Sequence, residues 1–282
     1  MRVQYILLIV CLFAWATHYG ASAQQRIITA GSSSSEIVCA LGLCDKIVAT
    51  DRTSLYPESL QDLPSIGYRN SINAEGILSL QPDLVILEKS YVTDDLITQL
   101  RLSRIKVVVV QSEQNFESSK ARIRTIAGAL NKLSEAEQLI DQIEIDLLAI
   151  SKKVASAPSR PKVLCVYARG TGAIQIAGSN TSFELLRLAG AVNAAADIEG
   201  YKPLNTESLI QSNPDFILFF DSGLESIGGV EGALKIPGVS QTKAGKEKQI
   251  IHMDGNLLTN WGPRLAQAVE ELFYLTHPIA SR

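Results

Sequence analysis

Short apolar runs alternate with amphipathic segments in the first 110 residues of the chain. The runs are four to five residues long and rich in β-branched residues, as expected of buried strands, and they cover residues 26–30, 46–50, 84–87 and 107–110. Segments with helical spacing lie between them, at residues 36–41, 74–80 and 94–102. Gly31 and the serines at 32–35 predict a turn and a helix cap before the first helix. Strand, helix and strand at this spacing predict βαβ units on a parallel sheet.

The hydrophobic period changes from residue 116 onward. Apolar residues recur at spacings of mostly three and four from Ile123 to Val154, which is helical periodicity. Ser134 and Glu137 have the spacing of a capping box, so the pattern predicts a break near Asn131 and a second helix of about twenty residues. A coiled coil is the alternative, but strand and helix patterns resume after residue 158, which favours a helical connection between two lobes.

An internal repeat supports two similar lobes. The segment 73–83 recurs as 205–215 without a gap, and each copy precedes an apolar run. The matched pairs are Asn73 with Asn205, Glu75 with Glu207, Pro82 with Pro214 and Asp83 with Asp215. The sequence therefore predicts an α/β protein in which two Rossmann-like lobes are joined by a long backbone helix and hold a ligand in the interlobe cleft. The predicted units are a signal peptide at 1–23, an N-terminal lobe at 24–115, a helical inter-lobe connection at 116–157 and a C-terminal lobe at 158–282.

The first 23 residues have the pattern of an export signal. Arg2 supplies the positive start, residues 6–16 are apolar, and Ala21-Ser22-Ala23 is a small-residue cleavage site. A membrane anchor is the alternative, but the apolar segment is shorter than the roughly 20 residues that a spanning helix needs. We therefore expect a mature chain outside the cytoplasmic membrane, in the periplasm.

Charge and cysteine content limit the partners and the bonds of this chain. With 26 basic and 29 acidic residues the net charge is -3, which gives no basic footprint for nucleic acid. Beyond residue 23 the cysteines are Cys39, Cys44 and Cys165, an odd number without metal-site spacing. The apolar surroundings of Cys39 and Cys165 favour buried thiols, with a Cys39–Cys44 disulfide as the less favoured alternative.

The sequence offers no catalytic constellation. It has no phosphate loop, the pair Gly170 and Gly172 lacks the third glycine of a dinucleotide fingerprint, and beyond residue 23 the histidines are His252 and His277. An enzyme of envelope polysaccharide or peptide metabolism would need paired carboxylates in the cleft. These observations favour a binding protein over an enzyme.

Four sequence segments carry a family resemblance. They are Gly67-Tyr68 with the following 73–83, then Ala177-Gly178-x-x-Thr181, 200–204 and Gly262-Pro263-Arg264. In them the chain resembles periplasmic solute-binding proteins with a rigid inter-lobe helix, which serve ATP-driven importers of haem, ferric siderophores and vitamin B12, and within that family it resembles the haem-binding branch. The resemblance covers nearly all of 25–275. It implies a monomer that binds ferric haem (Fe(III) protoporphyrin IX) between its lobes and delivers it to an ABC permease. A ferric-siderophore or corrinoid binder of the same fold is the alternative.

The resemblance also implies roles for individual residues. Tyr68 corresponds to the tyrosine that is the axial ligand of ferric haem, and a phenolate is a hard donor suited to Fe(III). Family members carry an arginine two residues after that tyrosine, where this chain has Asn70, whereas Arg69 is adjacent. Arg169 follows the first strand of the second lobe, where some relatives have a histidine, so Tyr68 is expected to be the one protein ligand. The remaining candidates for lining the haem pocket are Tyr91, Trp261 and Arg264.

Glu75 and Glu207 occupy matching places in the first turns of the two repeated helices. Negative charge at a helix N-terminus is favourable by itself. In the family, however, one acidic residue per lobe at this position pairs with arginines of the permease. The duplication favours a docking role for both residues.

Overall fold

The first lobe is built on a parallel sheet of four strands in the order β2-β1-β3-β4. A computed structural model describes residues 25–278, so the expected signal peptide at 1–23 lies outside the described residues. The strands are β1 (Ile27–Ala30), β2 (Ile47–Thr50), β3 (Leu84–Glu88) and β4 (Lys106–Val110), and the helices are α1 (Ser32–Ala40), α2 (Ala74–Ser79) and α3 (Asp94–Leu102). Alternate strand residues pack on opposite faces, as Ile27 and Ile28 do in separate apolar clusters. The central strands β1 and β3 are buried along their whole length, which explains why their sequences are almost entirely apolar.

The prediction that the serine run forms a turn is wrong, because all four serines lie inside α1 and are buried. Gly31 occupies the N-cap position with φ 113°, a conformation that favours glycine. The Ser34 N–H donates to Glu88 Oε1 (2.8 Å), and the Ser35 hydroxyl bonds to Thr29 Oγ1 (2.7 Å). Tertiary contacts thus pair the Ser35 hydroxyl and the Ser34 N–H, which is one of the first-turn donors that a helix leaves without an internal partner.

Two consecutive helices follow the first sheet, α4 (Phe116–Leu130) and α5 (Leu133–Ser156). The predicted break at Asn131 is confirmed, since Asn131 adopts a left-handed conformation with φ 57°. The predicted capping box is wrong: Glu137 instead accepts two hydrogen bonds of 2.8 Å from the Arg124 guanidinium. Helix α4 packs against β4 and α1, whereas α5 packs against α4 and the last described helix.

The second lobe is built on a mixed sheet in the order β10-β9-β5-β6-β8, with β7 beside β5. The strands are β5 (Lys162–Ala168), β6 (Ile174–Ala177), β7 (Val192–Asn193), β8 (Tyr201–Pro203), β9 (Phe216–Phe220) and β10 (Ile250–Met253). The helices are α6 (Leu185–Leu188), α7 (Thr206–Ser212), α8 (Asp221–Ser226), α9 (Gly229–Leu234), α10 (Lys243–Lys246), α11 (Gly255–Thr259) and α12 (Leu265–Thr276). Asp254 caps the short helix α11 by accepting a hydrogen bond from the Leu257 N–H (2.6 Å).

The internal repeat has the same structural role in both lobes. Asp83 Oδ2 accepts the backbone N–H of Arg26 (2.8 Å), and Asp215 Oδ2 accepts that of Lys162 (2.7 Å). Arg26 immediately precedes β1, and Lys162 begins β5. Each aspartate thus fixes the start of one strand in its own sheet.

One apolar cluster extends through both lobes. It joins Ile27 and Ile86 of the first sheet, Ile143 of α5, Val163 of the second sheet and Leu265 of α12. Each sheet has a further cluster on its other face. The lobes therefore share a core on the side of the helices and have separate cores elsewhere.

A disulfide joins Cys39, near the end of α1, to Cys44. The prediction of a buried thiol is thus wrong for Cys39, and the alternative of a Cys39–Cys44 disulfide is confirmed. The two Cα atoms are 4.0 Å apart because the chain reverses at Gly42 with φ 80°. Cys165 is a free, buried thiol as expected, and burial raises its pKa well above the ordinary value.

Of the helices between residues 25 and 278, none has both the length and the apolar content that crossing a membrane requires.

Candidate functional site

Tyr68 lies at the mouth of the interlobe cleft, in the connection between β2 and α2. The preceding Gly67 has φ 108°, and a Cβ there would stand 2.8 Å from the Ser71 hydroxyl. That hydroxyl accepts the Tyr68 N–H (2.8 Å) and donates to the Tyr68 carbonyl (2.9 Å). The turn is closed around the backbone of Tyr68, which leaves its side chain 37% exposed to the cleft.

Arg69 contacts the phenol of the tyrosine that precedes it. Its Nε–H donates to Tyr68 Oη (3.1 Å) and its Nη1–H to the Ser90 carbonyl (3.4 Å). The guanidinium also lies over the ring of Tyr91, 4.8 Å from the ring centre. Arg69 has a left-handed backbone with φ 46°. This conformation, together with the contacts to Ser90 and Tyr91, places the guanidinium beside the phenol.

Arg169 approaches the same phenol from the second lobe. It directly follows β5, and its guanidinium lies over the ring of Tyr167 at 5.3 Å from the ring centre. The pKa of Tyr68 is lowered from its ordinary value, chiefly by the hydrogen bond from Arg69 and further by one from Arg169. The hydrogen bond to Tyr68 in turn raises the pKa of Arg169. Two cations, one from each lobe, thus stabilise the phenolate form of Tyr68.

Residues from both lobes line a cleft of about 620 Å³ at this point. Its wall combines cationic groups with apolar and aromatic surface, as is usual for small-molecule sites of this size. The lining residues are Tyr68, Arg69, Tyr167, Arg169, Gly172, Ala173, Ile174, Gln175 and Pro203. The structure therefore brings together three of the residues that the sequence singled out, Tyr68, Arg69 and Arg169.

The other predicted pocket residues lie elsewhere. Tyr91 borders a smaller polar cavity behind Arg69, where burial raises its pKa. Trp261 is 3% exposed and belongs to the shared core. Arg264 is held by Glu36, to which its Nε donates at 2.9 Å and its Nη2 at 2.5 Å, and it stacks on the ring of Tyr56 at 3.8 Å. Neither Trp261 nor Arg264 is among the lining residues of the cleft.

Sequence reasoning missed several residues of the site. Tyr167 lies near the carboxyl end of β5, where parallel strands present ligand-binding groups, so its position along the strand was a usable signal. Gln175 and Ile174 belong to β6, which pairs antiparallel with β5 and returns to the cleft. No local pattern reveals that pairing. The buried pair of Glu88 and Arg122, behind the cleft, also lacked any sequence signal.

Glu75 and Glu207 lie on the surface of their respective lobes. Each is exposed in the first turn of a helix, α2 or α7. The helices have equivalent caps, since Asn73 Oδ1 accepts the Gly76 N–H (2.8 Å) and Asn205 Oδ1 accepts the N–H groups of Glu207 (2.9 Å) and Ser208 (3.1 Å). The two carboxylates are therefore presented in the same local geometry by the two lobes.

Comparison with protein families gives one match that covers most of the chain. The family described as periplasmic binding protein matches residues 27–257. Among solved structures, the chain is similar to the periplasmic heme-binding protein RhuT from Roseiflexus sp. RS-1 in its apo form. The TM-score is 0.87 and the identity 37%, with 92% of this chain and 100% of that chain covered.

Two curated sequences are also similar. An uncharacterized ABC transporter substrate-binding lipoprotein, YvrC of Bacillus subtilis strain 168, is 31% identical over 258 residues, which is 90% of this chain and 80% of that protein. The vitamin B12-binding protein of Yersinia pestis strain Pestoides F is 28% identical over 214 residues, which is 73% of this chain and 72% of that protein. The comparisons thus include binders of two kinds of tetrapyrrole-derived ligand.

Proposed function

The chain belongs to the periplasmic binding protein family, and on that basis we propose that it binds ferric haem between its two lobes and delivers it to the permease of an ABC importer. The similarity to a heme-binding protein extends over 92% of the chain at 37% identity, whereas the vitamin B12-binding relative matches 73% at 28%. This difference favours haem over a corrinoid. The family and the similar structures are binding proteins, so the proposed activity is capture and release without bond chemistry.

The observation that carries the proposal is the arrangement around the phenol oxygen of Tyr68. A phenolate is an anionic oxygen donor that binds ferric haem iron, and tyrosine is an established haem ligand. Its proton must leave before coordination, and Arg69 and Arg169 both lower its pKa. Tyr68 would therefore serve as the axial ligand, while the aromatic and apolar side chains of Tyr167, Ile174 and Pro203 would face the porphyrin.

The test is an absorbance titration of the protein with ferric haem, run beside the variant Tyr68→Phe. The control is Tyr274→Phe, because Tyr274 is 36% exposed against 37% for Tyr68 and its hydroxyl is likewise held by a cation, Lys153 (2.8 Å). We expect saturable binding with the spectrum of a tyrosinate-bound ferric haem in the native and control proteins. The Tyr68→Phe protein should lose that spectrum.

Two outcomes would overturn the proposal in different ways. Saturable haem binding that Tyr68→Phe leaves unchanged would exclude Tyr68 as the ligand while keeping haem as cargo. Absence of saturable haem binding, together with saturable binding of a cobalamin or a ferric siderophore in a parallel titration, would identify the chain as a binder of that other ligand.

Delivery requires that the permease recognise a surface on each of the two lobes. We assign this role to Glu75 and Glu207, whose matched, exposed positions at two helix N-termini provide one negative charge per lobe. We further propose that residues 1–23 are a cleaved signal peptide and that the chain works in the periplasm as a monomer. The lobe limits 24–115 and 158–282, with the helical connection at 116–157, stay predictions.

A further inference from the structure

A second, smaller cavity of about 130 Å³ lies behind the wall of the haem cleft. Arg69 borders both spaces. The cavity lies at the carboxyl ends of β3 and β4, since Glu88 is the last residue of β3 and Ser112 follows β4. Helix α4 contributes Arg122, and Thr259 and Asn260 close the cavity from the second lobe. Its lining is almost entirely polar.

This cavity is also where hydrogen-bonding groups are left unpaired. Among the described residues, the buried side-chain atoms without a hydrogen-bond partner include Arg122 Nε and Ser112 Oγ, and both residues line the cavity. The Ser119 hydroxyl, one turn before Arg122 on α4, is unpaired as well but does not line it. Buried polar groups are rarely left unpaired, and Arg122 Nε can only donate, so it needs a partner that accepts a hydrogen bond.

The charges in the cavity favour an anionic occupant. Arg122 is 4% exposed, and its nearest acid is Glu88, whose Oε2 is 4.0 Å from Nη1. Its two hydrogen bonds go to neutral groups, the Ser33 hydroxyl (3.1 Å) and the Glu113 carbonyl (3.4 Å). Burial raises the pKa of Glu88, whereas the charge of Arg122 and the hydrogen bonds from Ser34 lower it. With Arg69 and Arg122 facing a single acid, the cavity lining has a surplus of positive charge.

We propose that this cavity is a carboxylate-binding subsite, in which one carboxylate accepts hydrogen bonds from Arg122 Nε and Ser112 Oγ and neutralises Arg122. A monovalent anion balances the surplus of one charge, whereas a divalent anion would introduce a new uncompensated charge in a buried site. The planar guanidinium also matches carboxylate oxygens in geometry. The carboxylate has two potential sources: a propionate arm of the haem in the cleft, which rests on the proposed function, or a small carboxylate free in solution, which does not.

The first experiment uses the protein without haem, so that it is independent of the cargo. Thermal unfolding is followed in increasing sodium formate, against sodium chloride at equal ionic strength. We expect formate to raise the unfolding temperature in a saturable way beyond the effect of chloride. Ser112→Ala, which removes an already unpaired hydroxyl, should still fold and should weaken formate binding about tenfold. Ser119→Ala is the matched control and should bind formate as the native protein does.

The second experiment distinguishes the two sources. If the occupant is a propionate, formate will compete with haem, and Ser112→Ala will weaken binding of haem but not of haem dimethyl ester. If it is a free carboxylate, formate and haem will bind independently. Tyr68→Phe should keep the response to formate in either case. The formate test therefore does not depend on whether Tyr68 binds haem. Equal effects of formate and chloride, or a formate response that Ser112→Ala does not weaken, would overturn the subsite and leave a cavity filled with water alone.

Discussion

Arg69 illustrates how a single backbone angle places a functional group. A left-handed backbone costs a non-glycine residue roughly 1–2 kcal/mol, and Arg69 adopts one with φ 46°. The contacts of its guanidinium with Tyr68, Ser90 and Tyr91 offset that cost. In the resembling family the arginine stands two residues after the tyrosine, whereas here the residue next to the tyrosine makes the contact.

The ionisation of Tyr68 tests this arrangement. Replacing Arg69 by Gln removes the main group that lowers the pKa of Tyr68, while Arg169 remains, so that pKa should rise toward the ordinary value for tyrosine. Haem affinity at neutral pH should fall and should recover as the pH is raised, because more phenolate is then present. The protein is titrated with base and followed by ultraviolet absorbance, with and without Tyr68→Phe. The difference between the two curves is the titration of Tyr68, from which its pKa is read for the native protein and for Arg69→Gln.

Arg104→Gln is the matched control, since Arg104 is an exposed arginine of the same lobe that also has a left-handed backbone, with φ 62°. It should leave the titration of Tyr68 unchanged. An unchanged pKa in Arg69→Gln would mean that the hydrogen bond from Arg69 does not act on the phenol in solution.

Whether the sequence predicts the position of a side chain depends on how far along the chain its partners lie. Tyr68 belongs to a turn that Gly67 and Ser71 specify locally, so a short motif was sufficient to predict that Tyr68 lines the cleft. Arg264 was expected in the haem pocket, but its guanidinium pairs with Glu36, which is 228 residues away in the chain. A motif carries no information about such a distant partner.

The same distinction holds for whole elements. The predicted bounds of α3 agree with the structure because a local cap defines its start: Thr93 Oγ1 accepts the Leu96 N–H (3.2 Å). The start of α1 was misplaced because its serines are helical only in the presence of partners from β1, β3 and the segment that carries Ser54. Strand positions in the first lobe were predicted closely, since parallel strands leave a continuous apolar run, whereas β6, β7 and β8 of the second lobe were not predicted.

The disulfide at the end of α1 gives a measurable prediction about an element. It closes a short loop, with a separation of 5 residues between Cys39 and Cys44, and loop closure of about that length stabilises a fold by about 2 kcal/mol. Reductant should therefore lower the free energy of unfolding by about that amount in urea denaturation. The double variant Cys39→Ser/Cys44→Ser should be less stable by the same amount and insensitive to reductant. A native protein whose stability does not respond to reductant would contradict the prediction.

At the scale of the whole molecule, the shared core limits how the lobes can move. Ile27 and Val163 belong to different sheets, yet they lie in one apolar cluster that runs through α5. A wide separation of the lobes would expose part of that cluster to water, at a cost proportional to the apolar area. On the proposed function, we therefore expect release of the ligand to depend on the permease acting on both lobes at once.

The two glutamates that we propose to contact the permease provide the test at this scale. Glu75→Gln/Glu207→Gln should bind haem with unchanged affinity, because both carboxylates are exposed outside the cleft lining. It should, however, stimulate the ATPase activity of its importer, reconstituted in vesicles, much less than the native protein does. Each single variant should have an intermediate effect, since one of the two negative charges remains. Glu231→Gln is the control, because Glu231 is likewise exposed in the first turn of a helix, α9, but lies outside the repeat. If the double variant stimulates the importer as well as Glu231→Gln does, the two glutamates act only on their own helices, and the repeat reflects shared folding requirements rather than docking.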